Sequence, residues 1–371
     1  MNGFNLSDIT DAKLGATTLS GGIYLGSTKL WPLGTDYSKE YLTFESLADN
    51  NTITWTFTGK DPIQNVIYWS KNGTSWTSAI ASTSDTPVSL ATLKKGEKMY
   101  LKGENVKYAS STSKYSHFNS DYEFNVSGNI MSLIYGDNFI GQTTLQSSYN
   151  FTGIFRSSKV YDASNIILPA TTLTNFCYRS MFYGCTSLAT APVLPATTLA
   201  NSCYAYMFEG CSSLATATEL PATTLANSCY MSMFAGTKIT AAPELPATIL
   251  TDSCYRNMFY NCKSLATAPV LPATILQPRC YQHMFFGCTS LKTAPELPAK
   301  TLATYCYAYM FQECTSLSYI KCLATNISAS NSHDWWLYNV ASTGTFVKPT
   351  SMTSWPANAH GIPSGWRVVN V

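Results

Sequence analysis

Near-copies of the stretch LPATTLTNFCYRSMFYGCTSLATAPV, residues 168–193, follow one another along the second half of the chain and indicate its architecture. Six copies begin with a leucine–proline pair, and the steps between them are 25 or 26 residues. A period of this length is typical of stacked repeats, since one copy cannot bury its apolar face alone. The pairs are Leu168-Pro169, Leu194-Pro195, Leu220-Pro221, Leu245-Pro246, Leu271-Pro272 and Leu297-Pro298.

Each copy divides into a predicted helical turn and a predicted strand. In CYRSMF, residues 177–182, the apolar side chains have the i, i+1, i+4, i+5 spacing of a helical turn with an inward apolar stripe. Residues 187–194 are the predicted strand, because proline follows them. Degenerate copies at 151–163 and 322–340 are typical of terminal capping repeats.

All 12 cysteines lie in the repeats, and most of them fall into two columns. Six are 25 or 26 residues apart, from Cys177 to Cys306, and five more lie eight residues further on, with Thr237 in place of a sixth. Free cysteine behaves as a small apolar residue, so these apolar positions favour two buried thiol columns. The even count leaves disulfides open, and metal binding is a third alternative.

The composition limits the classes of partner. The chain has 371 residues, of which 23 are basic and 21 acidic, so only 12% are charged. No part carries the basic patch that nucleic acid requires. No run approaches ~18 consecutive apolar residues, so membrane insertion is not expected. The first residues, MNGFNLSDITDAKLG, do not have the basic and apolar regions of a signal peptide.

The first half differs from the repeats. Residues 36–128 alternate between β-rich runs, such as NTITWTFTG at 51–59, and turn signals, such as KNG at 71–73. This pattern predicts an antiparallel β-sandwich with an immunoglobulin-like architecture. The predicted divisions are an attachment segment (1–35), the sandwich domain (36–128), the repeats (129–345) and a C-terminal cap (346–371).

The repeats resemble a known family. The phrase F-x-x-C-x-S-L, followed by a short strand and L-P, is similar to the BspA-like, or Treponema-type, leucine-rich repeats over roughly residues 150–340. C-Y-x-x-M-F stands where those repeats often have I-G-x-x-A-F, and a proline is inserted. The resemblance implies a mixed fold class, in which the β-sandwich is followed by an α/β leucine-rich-repeat solenoid of about seven rungs with caps. It also implies a surface-exposed scaffold for recognition.

Residues 1–35 resemble the short attachment segment of structural proteins of tailed phages that infect gut bacteria. The segment contains two echoes, LGAT at 14–17 and LGST at 25–28. The resemblance implies a virion appendage, assembled in the host cytoplasm, whose N-terminus binds other virion structural proteins. The predicted function is a non-enzymatic phage virion structural protein, a head or tail fibre or appendage. We expect a homo-oligomer that binds host surface polysaccharide or protein. The alternative is a bacterial cell-surface adhesin of the BspA-like type.

No catalytic centre, cofactor or metal site is predicted. The sequence has no Gly-rich phosphate loop, and none of its four histidines pairs with another at metal-ligand spacing. His333 and Asp334 are adjacent, but acid–base catalysis needs two groups that converge on one substrate. We interpret them as a polar turn beside Trp335-Trp336.

The predicted ligand-binding residues come from positions that vary among the copies. Three positions in C-Y-x-x-M-F-x change freely, and Arg179 and Tyr183 would share one outward helical face. Aromatic and arginine side chains are common binding anchors, although a solvated surface that is free to vary is the alternative. A second variable position precedes each L-P, at Val193, Glu219, Glu244, Val270 and Glu296. The predicted site is Arg179, Tyr183, Tyr206, Arg256, Tyr260, His283, Phe286 and Tyr309.

Overall fold

The computed structural model describes residues 36–371 except 61–63, 82–84, 354, 357 and 359. Of residues 1–35 it describes only the backbone of four short strands, so the predicted attachment segment lies largely outside the described residues. These strands are β1 (Lys13–Leu14), β2 (Thr17–Thr18), β3 (Ile23–Leu25) and β4 (Thr28–Trp31). In the described part of the chain, no helix is long and apolar enough to cross a membrane.

Nine strands lie between residues 42 and 129, in the region where the alternation predicts them. One sheet contains β5, β7, β8, β10 and β13 in the order β13-β5-β10-β7-β8, and a second has the order β11-β12-β6-β9. Pairing between these strands is antiparallel. The strands are β5 (Leu42–Ser46), β6 (Asn51–Thr58), β7 (Val66–Ser70), β8 (Thr77–Ile80), β9 (Val88–Leu93), β10 (Lys98–Gly103), β11 (Ala109–Ser111), β12 (Lys114–Ser120) and β13 (Phe124–Asn129).

Large apolar side chains from the two sheets meet in one core. The ring centroids of Phe44 and Phe118 are 5.0 Å apart, and that of Trp55 is 4.4 Å from Phe118. All three side chains are fully buried. Burial of each one contributes on the order of 2 kcal/mol to the free energy of folding.

This core continues into the repeats. The chain passes through α1 (Ser132–Tyr135), the one α-helix among the described residues, and β14 (Val160–Ile167) then pairs with β13 in parallel. The ring centroid of Phe155 lies 5.8 Å from that of Phe44 and 6.1 Å from that of Phe118. The first repeat is therefore packed directly against the sheets.

Each repeat is built around a run of consecutive turns. In residues 176–184 the backbone N–H groups alternate between two kinds of partner. The Met181 N–H closes a turn on the Tyr178 carbonyl, and the Phe182 N–H donates to the Met207 carbonyl of the next repeat at 3.0 Å. Every second N–H thus joins one repeat to the next. The turn segment occurs eight times, at residues 149–157, 176–184, 202–210, 228–236, 253–261, 279–287, 305–313 and 331–339.

The predicted α/β leucine-rich-repeat solenoid with caps is wrong. The described part of the chain is mostly β with one short α-helix, and its sheets do not form a solenoid. Residues 187–194 contribute only an isolated bridge, between Thr190 and Asp162, instead of a strand. The predicted helical turns are absent because Phe176, Ser180 and Gly184 all have positive φ. A left-handed residue at every fourth position interrupts an α-helix.

Two columns of stacked rings run through the repeats. The rings of Tyr178 and Tyr204 are 5.8 Å apart with an interplanar angle of 12°, and those of Phe182 and Phe208 are 5.8 Å apart at 10°. The backbone hydrogen bonds hold equivalent side chains at equal steps. One column is Phe151, Tyr178, Tyr204, Tyr230, Tyr255, Tyr281, Tyr307 and Trp336, and the other is Phe155, Phe182, Phe208, Phe234, Phe259, Phe285 and Phe311.

All 12 cysteines are free and buried. In the second cysteine column, the thiol donates to the phenylalanine carbonyl of the preceding repeat. The Cys211 Sγ lies 3.1 Å from the Phe182 carbonyl oxygen, and the Cys262 Sγ lies 3.0 Å from that of Phe234. These contacts match the packing role that the apolar positions favour.

The stack ends on a parallel sheet and a tryptophan cluster. The sheet consists of β15 (Tyr319–Lys321), β16 (Gly344–Lys348) and β17 (Trp366–Asn370) in that order. The rings of Trp336 and Trp355 are stacked with centroids 5.1 Å apart. Trp355 therefore covers the end of the first ring column.

Candidate binding face

The eight predicted ligand-binding residues all lie in turn segments, and all are half-buried. They occupy the two positions after C-Y and the position after M-F. Because the repeats are stacked in register, each position forms a column on the surface. We call this surface the aromatic face, and it consists of Arg156, Arg179, Tyr183, Tyr206, Glu209, Arg256, Asn257, Tyr260, Gln282, His283, Phe286 and Tyr309.

The variable positions do not all reach solvent, as an outward helical face would require. Small side chains at these positions are buried, as at Ser180, Ala205, Ser232 and Ala308. The longer side chains and rings are half-buried, except Gln282, which is buried. The face is therefore a partly buried layer of large side chains over the turn segments.

At the N-terminal end of the face, two arginines lie over tyrosine rings. The Arg156 Cζ is 4.1 Å from the ring centroid of Tyr183, and the Arg179 Cζ is 4.4 Å from that of Tyr206. Such cation–π contacts are worth ~0.5–1 kcal/mol at exposed sites and hold each guanidinium group in place. Among the described residues, neither arginine forms a salt bridge with a carboxylate.

Glu209 lies near the two arginines. We call Arg156, Arg179, Tyr183, Tyr206 and Glu209 the N-terminal cluster of the face. Glu209 is half-buried, and its Oε2 has no hydrogen-bond partner among the described residues. Burial raises the pKa of Glu209 above its usual value, although Arg156 and Arg179 act in the opposite direction. The two guanidinium groups outnumber the one carboxylate, so this cluster has a net positive charge.

The remaining seven residues of the face form its C-terminal cluster, which contains two stacked pairs of rings. Tyr260 and Phe286 have centroids 4.6 Å apart at 9°, and His283 and Tyr309 have centroids 4.5 Å apart at 4°. The His283 and Phe286 centroids are 6.0 Å apart, so the two pairs adjoin. Stacking fixes the orientation of these rings, so they lose little freedom when a ligand binds.

Four buried polar atoms of the C-terminal cluster have no hydrogen-bond partner in the described structure. They are Arg256 Nε, Asn257 Oδ1, Gln282 Oε1 and His283 Nδ1. Burial lowers the pKa of His283 to about 4, and Arg256 lowers it further, so His283 is neutral at pH 7. Leaving a buried polar group unpaired costs about 1–3 kcal/mol. Unpartnered buried atoms also occur in the buried tyrosine column, and what distinguishes these four is that their side chains belong to the aromatic face.

One repeat separates the two clusters. Its equivalent side chains are Met231, Ser232 and Ala235, which contribute neither rings nor charges. Arg179 and Arg256 are three repeat steps apart along the stack. Hydrogen-bonded backbones lie ~4.8 Å apart, so these two arginines lie ~14 Å apart along the stack. An extended ligand can span both of them.

Four residues of the face are missing from the predicted set. Arg156 belongs to the degenerate first copy, and aligning Phe155-Arg156 with Phe182-Tyr183 would have revealed its column. The other three, Glu209, Asn257 and Gln282, occupy variable positions. Their unpartnered atoms depend on burial, which the sequence does not give.

His333 and Asp334 do not form a catalytic pair with each other. The Asp334 Oδ1 lies 3.4 Å from the His360 Nδ1, and the His333 Nδ1 lies 2.9 Å from the Ser332 Oγ. The ring of His333 packs edge-on against Trp355 at 5.1 Å. These contacts belong to the packing of the C-terminal tryptophan cluster.

The variable position before each L-P pair lines two surface grooves. A cavity of 430 Å³ is bordered by Glu219 and Glu244, and a cavity of 480 Å³ by Glu244 and Val270, each with several prolines. Neither lining contains an aromatic or arginine side chain. The aromatic face therefore offers more anchors for a ligand than these grooves do.

A third cavity, of 270 Å³, lies beside the sheets. Its lining includes Trp76, Lys102 and Asp137. The Lys102 Nζ lies 2.7 and 2.8 Å from the two carboxylate oxygens of Asp137, so these charges already satisfy each other. The described residues contain no group of three or more His, Cys, Asp or Glu that could hold a metal ion.

The chain matches no protein-family model, no curated protein and no solved structure.

Proposed function

We propose that this protein is a non-enzymatic recognition protein of a virion appendage, and that its aromatic face binds a host-surface polymer. The observation that carries the proposal is the row of half-buried rings and guanidinium groups on stacked repeats. Stacked repeats present equivalent positions at regular steps, which suits an extended ligand. A small-molecule ligand is instead usually enclosed in a cleft.

The rings are suited to pack against sugar rings. Tyrosine combines a large apolar surface with a hydroxyl group that can donate or accept a hydrogen bond. Tyr260 and Tyr309 are each stacked on a neighbouring ring, so they are oriented before the ligand arrives. This preorganisation lowers the entropic cost of binding.

Binding is favoured over hydrolysis by the charges of the face. Glycoside hydrolysis takes a pair of carboxyl groups on either side of the scissile bond. Glu209 is the one carboxylate on the aromatic face as defined above. A polymer bound there would meet rings, amides and guanidinium groups along most of its length.

The aromatic rings can be tested directly. Replacing Tyr260 and Phe286 together with alanine should weaken binding to host cell envelopes at least about tenfold, because anchor residues carry most of the energy of an interface. Co-sedimentation of the purified protein with envelopes measures this change. Tyr161→Ala is the matched control, since Tyr161 is 43% exposed on β14 and lies outside the face.

Two outcomes of this experiment are informative. Envelope binding that stays at the wild-type level in the double variant, with its circular dichroism unchanged, would refute the proposed function. An equal loss in Tyr161→Ala would place the binding surface elsewhere.

The virion location is a separate part of the proposal. It depends on the resemblance of residues 1–35 to phage attachment segments, through which the protein would bind other virion proteins as a homo-oligomer. Removing residues 1–35 should leave the rest folded and abolish incorporation into particles, measured by immunoblotting of purified virions. Normal incorporation would contradict the virion location. An export signal encoded upstream would favour the bacterial cell-surface alternative.

A further inference from the structure

We infer that the polymer bound by the aromatic face is an acidic polysaccharide, and that Arg179 and Arg256 bind its anionic groups. This inference rests on the proposed function and names the ligand class of the same surface.

The distribution of arginine supports an anionic ligand. The chain contains 18 lysines but only five arginines, and three of the five lie on the aromatic face. They are Arg156, Arg179 and Arg256. The guanidinium fork matches the two oxygens of a carboxylate, and it stacks on aromatic rings, whereas lysine is a point charge. The net charge of the chain is only +2, so this enrichment is local.

The arginines of the face form no close ion pair with a described carboxylate, and Glu209 interacts with Arg156 and Arg179 only at longer range. Arg179 contacts the ring of Tyr206, and no described carboxylate lies within salt-bridge distance of Arg179 or Arg256. Arg279 provides the contrast. It lies off the face, and its Nη1 is 3.5 Å from the Asp252 Oδ2. Guanidinium groups on the face therefore have no carboxylate paired with them, whereas Arg279 nearby does.

The charge balance is positive at both ends of the face. At the N-terminal end, Arg156 and Arg179 outnumber Glu209. At the C-terminal end, Arg256 is the one charged side chain, because His283 is neutral. An anionic group is therefore favoured in both clusters, whose Arg179 and Arg256 lie ~14 Å apart at ~4.8 Å per repeat. A linear polymer with repeated acidic groups can bind both clusters at once.

The unpartnered atoms of the C-terminal cluster favour a saccharide as the carrier of the charge. Arg256 Nε is a donor, whereas Asn257 Oδ1 and Gln282 Oε1 are acceptors. An acidic sugar offers acceptor oxygens to the half-buried Arg256 guanidinium, and hydroxyl donors to the two amide oxygens when these turn toward the surface. The terminal torsions of Asn and Gln are soft, so these amides can turn toward a ligand above them.

Dextran derivatives separate charge from sugar chemistry, because they share one backbone. We expect dextran sulfate and carboxymethyl dextran to bind the full-length protein, and neutral dextran of the same length to bind at least about tenfold more weakly. Surface plasmon resonance with immobilised protein measures all three. Binding of the charged polymers should weaken from 0.1 to 1 M NaCl, because the Debye length falls from ~10 to ~3 Å.

Arginine variants test the assignment of the two subsites. Arg179→Gln and Arg256→Gln should each weaken dextran sulfate binding about tenfold, because each removes a charge-assisted fork. Arg279→Gln is the matched control: it removes the same charge and should change affinity by less than about twofold. Thermal melts of all three variants confirm that they are folded.

Several results would overturn the inference. It fails if no dextran derivative binds, if neutral dextran binds as tightly as dextran sulfate, or if Arg279→Gln loses as much affinity as Arg256→Gln. In each case the proposed function survives when the Tyr260 and Phe286 double variant still loses envelope binding. If that variant also binds envelopes normally, both proposals fail.

Discussion

Cysteine and threonine share one position in the repeats, and the exchange shows what the position requires. The Thr237 hydroxyl donates to the Phe234 carbonyl at 2.8 Å, and the Cys262 thiol of the next repeat donates to the same carbonyl at 3.0 Å. A hydroxyl therefore fits this buried position, although it donates within its own repeat, where the thiols donate to the preceding one. The position needs a small side chain with a donor, which a disulfide or a metal site would not explain.

Thiol reactivity should reflect this burial. Burial raises the pKa of Cys211 well above its usual value and that of Cys262 to about 11, so at pH 8 both remain protonated. The thiolate is the reactive form. Titration of native protein with a thiol reagent should detect few groups, rising to 12 free thiols in denaturant without reductant. Native protein that reacts at most of its cysteines would show that the columns are open.

At the scale of the elements, the turn segment explains which part of the fold was predictable. Positive φ recurs every four residues, as at Ser228, Ser232 and Gly236. Apolar residues follow the same period of four, and an α-helix has a period of 3.6. Over a segment of nine residues the two periods differ by less than one residue. The pattern therefore reveals the repeat, the stacking and the buried columns, but it does not distinguish turns from a helix.

The sequence likewise predicts the membership of the candidate face better than its geometry. Side-chain identity at the variable positions predicts eight members of the face, because position in the repeat fixes the column. Half-burial and the unpartnered atoms of Arg256 and Gln282 arise from contacts between neighbouring repeats. Those contacts depend on the turn geometry. A helical interpretation of the sequence therefore could not predict the half-burial or the unpartnered atoms.

Backbone geometry at these turns can be tested at Ser228, which has a φ of 55°. Ser228→Gly should leave the free energy of unfolding unchanged or raise it by up to about 1 kcal/mol, because glycine adopts positive φ without steric cost. Ser228→Val should lower it by about 1–2 kcal/mol, since a β-branched side chain is strained there. Urea denaturation measures both. Asn227→Val, at an exposed neighbour without positive φ, is the control, and an equal loss there would contradict the argument.

On the scale of the whole molecule, the repeats and the sheets share one continuous core. Buried side chains from Leu42 to Trp366 belong to a single cluster. Phe155 joins the two parts, because its ring contacts both Phe44 of the sheets and Phe182 of the repeats. We therefore expect the sheets to serve as the base on which the first repeat is stacked.

Stacking in register predicts which deletions the chain tolerates. Removing residues 203–228 joins Ser202 to Cys229 and restores the pattern N-S-C-Y, so every remaining N–H finds its usual partner. This variant should fold, with a melting temperature only a few degrees lower, because each repeat contacts its neighbours alone. Removing 203–215 deletes half a repeat and should abolish cooperative melting. Circular dichroism melts compare the two, and equal behaviour would argue against register.

The alternating hydrogen bonds have an electrical consequence. In every turn segment but the last, the peptide units before Phe176, Tyr178, Ser180, Phe182 and Gly184, or their equivalents, donate N–H toward the C-terminal neighbour. Their carbonyls accept from the N-terminal neighbour, as the Cys177 carbonyl does from the Phe151 N–H. Peptide dipoles of ~3.5 D thus align head to tail in five parallel columns, as they do within a helix. The stack is therefore polarised along its axis, negative where it meets the sheets and positive where Trp336 and Trp355 close it.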